Sequence, residues 1–591
     1  MGDRLLRREM RRRNKRSEPR SDRKPLGHRF NQRWSHWFSL LLIFLMAFVA
    51  YYPAIHGGFI WDDDLYVTEN HLLTAPDGLR RIWFTTESPS QYFPLTYTVF
   101  WVERRLWGLQ PMGYHIVNVA LHALNAVLVW LLLIYLKLRG AWLVGAIFAL
   151  HPVHVESVAW ITELKNVLSG MFYLLALGSY LRFEDNRGWG WYAGAFGLFG
   201  LSLLSKTVTL TLPAGLILLR WLRGREIRWR NVGLLIPFIV LGVGMGLLSR
   251  WWEIHYQGTR GEVFDLSMLQ RFLIAGRAFW FYTIKLLWPM NLTFSYPRWT
   301  LNPLEAGNYV WHLGLILSGL GLWLLRDRWG RGPLVGTAFF MITLSPMLGF
   351  INYYTMRYSF VADHYQYVAS LGLTAVVVGS VCGGLDQWEK TIIALTSHRG
   401  FLIKMFLGVT VLIILGVLTW RQGYVYRDSE VLWQDTLTKN PESWMAYNNL
   451  GLALGKQGRL EEGIEHFQKS LVINPNNVEA HYNLGLAYYK KGSLDKAISR
   501  YKKALAINPH YAEVHNNLGI AYSKKGIVDE AISEYKKSLD LKPNLAEAHN
   551  NLSVAYYHKE NYKLAIVHCN KAVELGGRVN PKLLELLKPY R

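Results

Sequence analysis

Along the first 420 residues, runs of apolar residues near the twenty or so needed to cross a bilayer alternate with short polar breaks, and beyond Gly423 the chain turns polar and periodic. The runs fall at about 37 to 55, 115 to 136, 141 to 159, 166 to 182, 189 to 205, 208 to 222, 232 to 249, 309 to 325, 333 to 350, 364 to 384 and 401 to 420, which predicts eleven spans. A twelfth run, 270 to 289, differs: Arg271, Arg277 and Lys285 share one helical face, so it is expected at the interface or lining a cavity. The pattern therefore predicts an all-α chain. A basic tail, 1 to 36, precedes a membrane domain, 37 to 422, whose first external loop is 56 to 114, and a helical domain follows over 423 to 591.

In that last region Asn440-Pro441, Asn474-Pro475, Asn508-Pro509 and Lys542-Pro543 recur every 34 residues, and Gly451, Gly485, Gly519 and Ser553 keep the step. A period of 34 with leucines at 450, 484, 518 and 552 and small residues at 497, 531 and 565 is the tetratricopeptide signature, a solenoid of helix pairs with a concave groove. Units lie near 441–474, 475–508, 509–542 and 543–576. Asn449, Asn483, Asn517 and Asn551 occupy one place in the first helix of every unit. Each amide offers a donor and an acceptor, so the row suits the backbone of an extended polypeptide; the alternative is a polar groove face without a ligand. The row resembles the asparagine ladder of O-linked N-acetylglucosamine transferase, which holds acceptor polypeptides.

Charge sets the orientation. Thirteen of the first 36 residues are Lys or Arg, and a basic tail before an apolar run belongs in the cytoplasm against anionic lipid and is not expected to bind nucleic acid. With eleven spans, "KLR", "RFEDNR", "RWLRGREIRWR", "RDRWGR" and the stretch holding Lys390 and Arg399 all face inward, and the repeats face the periplasm or an equivalent exterior. Two cysteines, Cys382 and Cys569, supply neither a disulfide framework nor a cysteine metal site.

That topology gathers the polar motifs outside: "WDDD" at 61–64, "HPVHVESVAWITELKN" at 151–166, "SKT" at 205–207 and "RYSFVADHYQY" at 357–367. Charges at span ends are costly without a partner or substrate, so the cluster is a candidate site: Asp62 and Asp63, supported by His151, His154, Glu156, Glu163 and Asp363, with Lys206, Arg357 and His364 as cations. Simpler readings exist for each. The aspartates serve as a solvated turn, Lys206 snorkels, the histidines cap helix ends or hold a divalent metal, and Asp363 and His364 pair at a helix start.

These motifs, with "GGFIWDDDLYVTEN", "YFPLTYTVFWVERRLWGLQPMGYHIVNVALHALNAVL", "LLSKTVTLTLPA" and "VADHYQYVASLGL" before the repeats, resemble the transmembrane and tetratricopeptide repeat-containing O-mannosyltransferases and their bacterial relatives. The resemblance implies a type C glycosyltransferase fold, a polyprenyl-phosphate sugar as donor and Asp62 and Asp63 as the acidic pair of the first external loop. His364 stands where relatives commonly carry arginine. Sugar transfer to a Ser or Thr hydroxyl needs a carboxylate to take the proton and cations at the departing phosphate, which Asp62 on one hand and Lys206, Arg357 and His364 on the other supply. The expected enzyme is a protein O-glycosyltransferase of a bacterial inner membrane; the rival is a membrane-anchored scaffold, and a transporter is disfavoured because the charges sit at one face rather than the midplane.

Overall fold

The computed structural model describes residues 26–88, 90–392 and 397–591; most of the basic tail lies outside them, as do the side chains of Lys390 and Arg399. Among the described residues every regular element is a helix. Three helices are long and apolar enough to cross a membrane, Pro111–Tyr135, Ser370–Gln387 and Leu402–Val425, and a fourth crossing results if a bent pair counts as one. The other runs give shorter helices, or helices with charged ends such as Leu164–Asn186 with Glu184 and Asp185.

The bent pair, Ala141–Leu150 and Pro152–Ala159, turns by 52°. Pro152 has no N–H, so the helix cannot continue and the carbonyls of 148 to 150 lose their partners. Side chains replace them. His154 Nδ1 donates to Phe148 O at 2.9 Å, His122 Nε2 to Ala149 O at 3.2 Å and Thr419 Oγ1 to Leu150 O at 2.6 Å. The chain beyond the break then folds through two short helical turns into the molecule rather than out of it.

The helix Pro111–Tyr135 fastens this inserted segment. Its apolar run hides a polar stripe at 115, 118, 122 and 125, one helical face. Asn118 Nδ2 donates to Trp160 O and Ile161 O, both at 3.3 Å, and Asn125 Nδ2 donates to Val167 O at 2.8 Å. Tyr367 OH donates to His122 Nδ1 at 2.8 Å, which ties in the 363–370 turn.

The run 270–289 forms one helix, Met268–Leu287, with its basic face turned onto protein. Arg271 donates to the carbonyls of Phe264, Leu266 and Gly349, Arg277 lies 4.5 Å over the Trp299 ring, and Lys285 donates to Met290 O and Asn291 O. Outward, Leu313, Ile316, Leu320 and Leu324 of Val310–Leu324 and Ile236, Ile239 and Val240 of Ile236–His255 are exposed, apolar surface that water does not favour.

The repeats are four helix pairs, Trp444–Lys456 with Leu460–Ile473, Val478–Lys490 with Leu494–Ile507, Ala512–Lys524 with Val528–Leu541 and Ala546–His558 with Tyr562–Glu574, preceded by the single helix Ser429–Lys439. Within the pairs the rings of Phe467, Tyr501 and Tyr535 lie on Gly451, Gly485 and Gly519, where an added Cβ would come within 2.8, 2.5 and 2.6 Å. The fourth pair exchanges both partners: Ser553 replaces the glycine and Cys569 the ring, which accounts for a buried thiol there. The solenoid docks on the site face. Lys439 Nζ donates to Leu292 O, Asn440 Nδ2 to Ser295 O, and Lys456 pairs with Asp64 at 2.9 Å.

Candidate functional site

A cavity of about 470 Å³ opens where the first loop, the inserted segment 156–165, the turn at Lys206, the 351–365 stretch and the first repeat helix meet. Trp61 sets its position. This residue takes φ 41°, a strained conformation for a bulky side chain, and its ring is held by stacking on Trp160 and by edge contacts with Phe294, Tyr358 and Trp433. The strained turn separates the three aspartates that follow.

Asp62 faces the cavity. Burial pushes its carboxyl up to about 6, with Lys165 opposing and Glu163 adding to the rise. Asp63 points the other way, into the protein, where it accepts from Ile60 N–H at 2.9 Å, Thr162 N–H at 2.8 Å and Thr162 Oγ1 at 2.5 Å. It is the clamp between the first loop and the inserted segment. Asp64 is at the surface and pairs with Lys456, so it joins the loop to the repeats rather than standing free in solvent.

Glu163 is the electrostatic centre of the opposite wall. Its carboxylate lies 2.9 Å from Lys165 Nζ, 3.1 Å from Lys206 Nζ and 3.9 Å from His364 Nε2. Burial alone would raise it, but His364, Lys165 and Lys206 together outweigh burial and hold it well below the usual carboxylate range. Lys206 is pulled down to about 8, chiefly by burial and against the attraction of Glu163. Glu156 reaches His364 Nδ1 at 2.9 Å and accepts from its backbone N–H at 3.0 Å, so the 363–366 turn is pinned to the inserted segment.

Asp62, Glu156, Glu163, Lys206 and His364 therefore line one cavity. The other expected residues do not. His151 Nε2 donates to Leu286 O and His154 closes the helix break beside Ser370, so both rings serve backbone carbonyls and neither offers a metal a free nitrogen aimed at the cavity. Among the described residues no group of three His, Cys, Asp or Glu side chains is placed to hold a metal ion. Asp363 lies behind the wall, where Tyr296 OH donates to it at 3.0 Å, and burial beside Glu156 raises its carboxyl. Arg357 is off the wall as well: its guanidinium lies over the Tyr354 and Phe264 rings.

Lys165 was not singled out by the sequence. It is buried, sits 4.9 Å over the Tyr66 ring and 5.6 Å over Trp160, and makes a second cation beside Lys206. Its only sequence signal is its place in "WITELKN", where a helical reading puts 163 and 165 on different faces; the change from a 3-10 turn to a helix at Leu164 brings them together. Glu253, which accepts from Gln91 Nε2 and from Tyr354 N–H, also lines the wall and lies in no motif.

The asparagine row is half engaged. Asn483 Nδ2 donates to Asn448 Oδ1, Asn517 to Tyr482 OH and Asn551 to Asn516 Oδ1, each to the residue before the row position of the preceding unit. The amide donors thus tie unit to unit. Trp444 packs on Tyr358 and Met445 lines the cavity, so the first repeat helix is part of the site wall.

Residues 451–492, 486–526 and 524–560 match the TPR repeat family, and 546–575 match the tetratricopeptide repeat. The chain is 26% identical over 528 residues to protein O-mannosyl-transferase Tmtc1 of Drosophila melanogaster, covering 71% of this chain and 59% of that protein. It is 24% identical to protein O-mannosyl-transferase F38B6.6 of Caenorhabditis elegans, covering 73% and 62%, and 30% identical to human protein O-mannosyl-transferase TMTC2 over 29% of this chain and 22% of that protein. The chain thus spans about three fifths of the length of the first two relatives. Among solved structures, a crystal structure of MamA is 28% identical over 25% of this chain and 86% of its own, with a TM-score of 0.24. YrrB, described as a TPR protein with an unusual peptide-binding site, is 23% identical over 27% and 81%, also at 0.24. Curated homologues over about 70% of the chain are therefore O-mannosyl-transferases of the Tmtc type, and the C-terminal part carries tetratricopeptide repeats.

Proposed function

We propose that the chain is an integral membrane glycosyltransferase that moves a mannose-like sugar from a polyprenyl-phosphate donor to Ser or Thr hydroxyls of a protein led in by the repeats. The observation that carries this reading is the opposition, across one cavity, of Asp62 and the Lys165–Glu163–Lys206 array. The named activity of the curated homologues supports a glycosyltransferase.

In this mechanism the acceptor hydroxyl oxygen attacks the anomeric carbon, its proton passes to an Asp62 carboxylate oxygen, and the bond from the anomeric carbon to the donor phosphate oxygen breaks. The electron pair leaves with the polyprenyl phosphate, whose added charge Lys165 and Lys206 stabilise in a dry, preorganised setting. Two lysines on one carboxylate leave one positive charge in excess, so the array accepts an anion without first losing Glu163. Lys165 takes the role that sequence reading gave to Arg357. Asp63 positions the base through Thr162, and His364 braces the wall through Glu156.

In the membrane we place eleven crossings over 37–422, with the shorter and broken helices completing spans through their neighbours, the N-terminus in the cytoplasm and the repeats, 423–591, in the periplasm of a bacterial inner membrane. The outward apolar faces of Val310–Leu324 and Ile236–His255 support lipid contact. The acceptor then runs along the asparagine row, past Met445, to the cavity.

The test incubates purified chain with a radiolabelled polyprenyl-phosphate mannose and a Ser/Thr-rich polypeptide. Label transferred to protein and lost on Asp62→Asn is the expected result. If polypeptide binds the repeats with no transfer from any lipid-phosphate sugar, the chain is a membrane-anchored scaffold instead.

A further inference from the structure

A second cavity, of about 740 Å³, lies at the other end of the same helices. The helix Pro111–Tyr135 begins beside the site, where Asn118 holds Trp160 and Ile161, and ends at this cavity with Leu132 and Leu133 in its wall. Twenty-five residues at about 1.5 Å each separate the two ends by most of a bilayer. The interior is apolar, with Leu177, Leu219, Phe339 and Leu371 among its lining.

Missing side chains hollow it out. The helices Gly332–Leu344 and Ser370–Ile392 touch backbone to backbone where Gly336 meets Gly372, and a Cβ on Gly372 would lie 2.3 Å from Gly336 O. Away from that crossing, Gly379 and Gly384 line the cavity although a Cβ on either would meet nothing within 4 Å. These glycines are not needed for close packing; what they provide is space.

The rim is basic. Lys137, Arg139 and Arg328 line it, and the turn that carries the first two is pressed onto Ser370–Ile392 at Gly140, whose Cβ would lie 2.7 Å from Val378. Arg139 is paired with Asp386 at 3.3 Å, a carboxylate shared with Lys404, whereas Lys137 and Arg328 have no carboxylate partner among the described residues. An apolar slot whose mouth carries two cations without a carboxylate partner among the described residues fits an amphiphile with an anionic head, and basic pockets between spans on the cytoplasmic side bind such heads.

We propose that this cavity holds an acyl chain of an acidic glycerophospholipid, its phosphate at Lys137 and Arg328, in the leaflet opposite the transfer site. The proposal rests on the membrane placement given above, and the two fail separately: release of the chain from membranes by alkaline carbonate sinks the placement, whereas lipid selectivity of detergent-extracted protein tests the cavity alone.

The experiment is native mass spectrometry of the full chain, delipidated in mild detergent and offered phosphatidylglycerol or phosphatidylcholine. The expected result is one phosphatidylglycerol adduct at several-fold higher occupancy than phosphatidylcholine. Gly379→Leu, which fills the slot, should reduce it about tenfold with elution and thermal midpoint unchanged, and Gly384→Leu serves the same purpose if Gly379→Leu does not fold. Lys137→Ala with Arg328→Ala should keep an adduct but abolish the preference. Equal occupancy of the two lipids, an undiminished adduct in both filled variants, or displacement by polyprenyl phosphate at equal concentration overturns the proposal.

Discussion

Replacing Glu163 by Gln keeps the shape of the side chain but removes the one charge that Lys165 and Lys206 share at 2.9 and 3.1 Å. Lys206 already pays for its burial, having fallen from 10.5 to about 8, which corresponds to about 3 kcal/mol at 1.36 kcal/mol per unit. A carboxylate about 3 Å away is worth on the order of 5 kcal/mol at an effective dielectric of 20, and the dipole of Gln and local relaxation recover part of that. The Lys206 ammonium should therefore lose its proton at least about one unit lower in the variant. Glu163 also raises Asp62, so its removal lowers that group too. The proposed step uses Asp62 ionised and Lys206 protonated, so wild-type transfer should follow a bell between about 6 and about 8. In Glu163→Gln both limbs should move to lower pH together, which a merely loosened site would not produce.

Stability gives the independent readout. Stranding buried cations costs about 3 to 5 kcal/mol, so the thermal midpoint in detergent should fall. The fall should be larger at pH 6, where Lys206 is charged in both proteins, than at pH 9, where Lys206 is neutral in both and its share of the penalty is gone. Lys165→Met should shrink the penalty of Glu163→Gln, because one of the two cations is gone; the coupling in that double-mutant cycle should exceed about 1 kcal/mol. A variant with the wild-type bell and a pH-independent loss of stability would refute the electrostatic account of this wall.

Asp62→Asn should lower transfer by about 10² to 10⁴ while donor binding persists, and should remove the acid limb near pH 6; rate comparison and donor binding on the same preparation check it. Joint replacement of Asn483, Asn517 and Asn551 by Ala should weaken acceptor binding and also destabilise the repeats by about 0.5 to 1.5 kcal/mol per site, because each amide donates to the preceding unit; denaturant titration separates the two effects. Thr162→Val should cost the clamp on Asp63 and release the first loop, read as faster proteolysis at 56–70 with the repeats intact. Reporter fusions after Arg331 and after Asn440 should report cytoplasm and exterior, and a cytoplasmic signal from the second would separate the repeats from the site.

Period and composition are local properties, and what depends on them alone was legible in the chain. The 34-residue step and the alternation of apolar runs with polar breaks predicted helices and repeats, because a helix presents its pattern every few residues. The spacing of Phe467, Tyr501, Tyr535 and Cys569 was readable in the same way. What the sequence could not rank was which polar residues share a wall. Three consecutive aspartates look alike along the chain; only the strained turn at Trp61 sends Asp62 to the cavity, Asp63 to Thr162 and Asp64 to Lys456. His151 and His154 look like ligands until the fold gives each a backbone carbonyl to serve, Leu286 O at the end of Met268–Leu287 and Phe148 O at the break before Pro152. Lys165 becomes a partner of Glu163 because a 3-10 turn gives way to a helix between them, and Arg357 lies off the wall because its guanidinium is held over the Tyr354 and Phe264 rings. Local patterns fix elements through short-range hydrogen bonding; the site is decided by contacts between segments 43, 99 and 208 residues apart, which no short window of sequence contains.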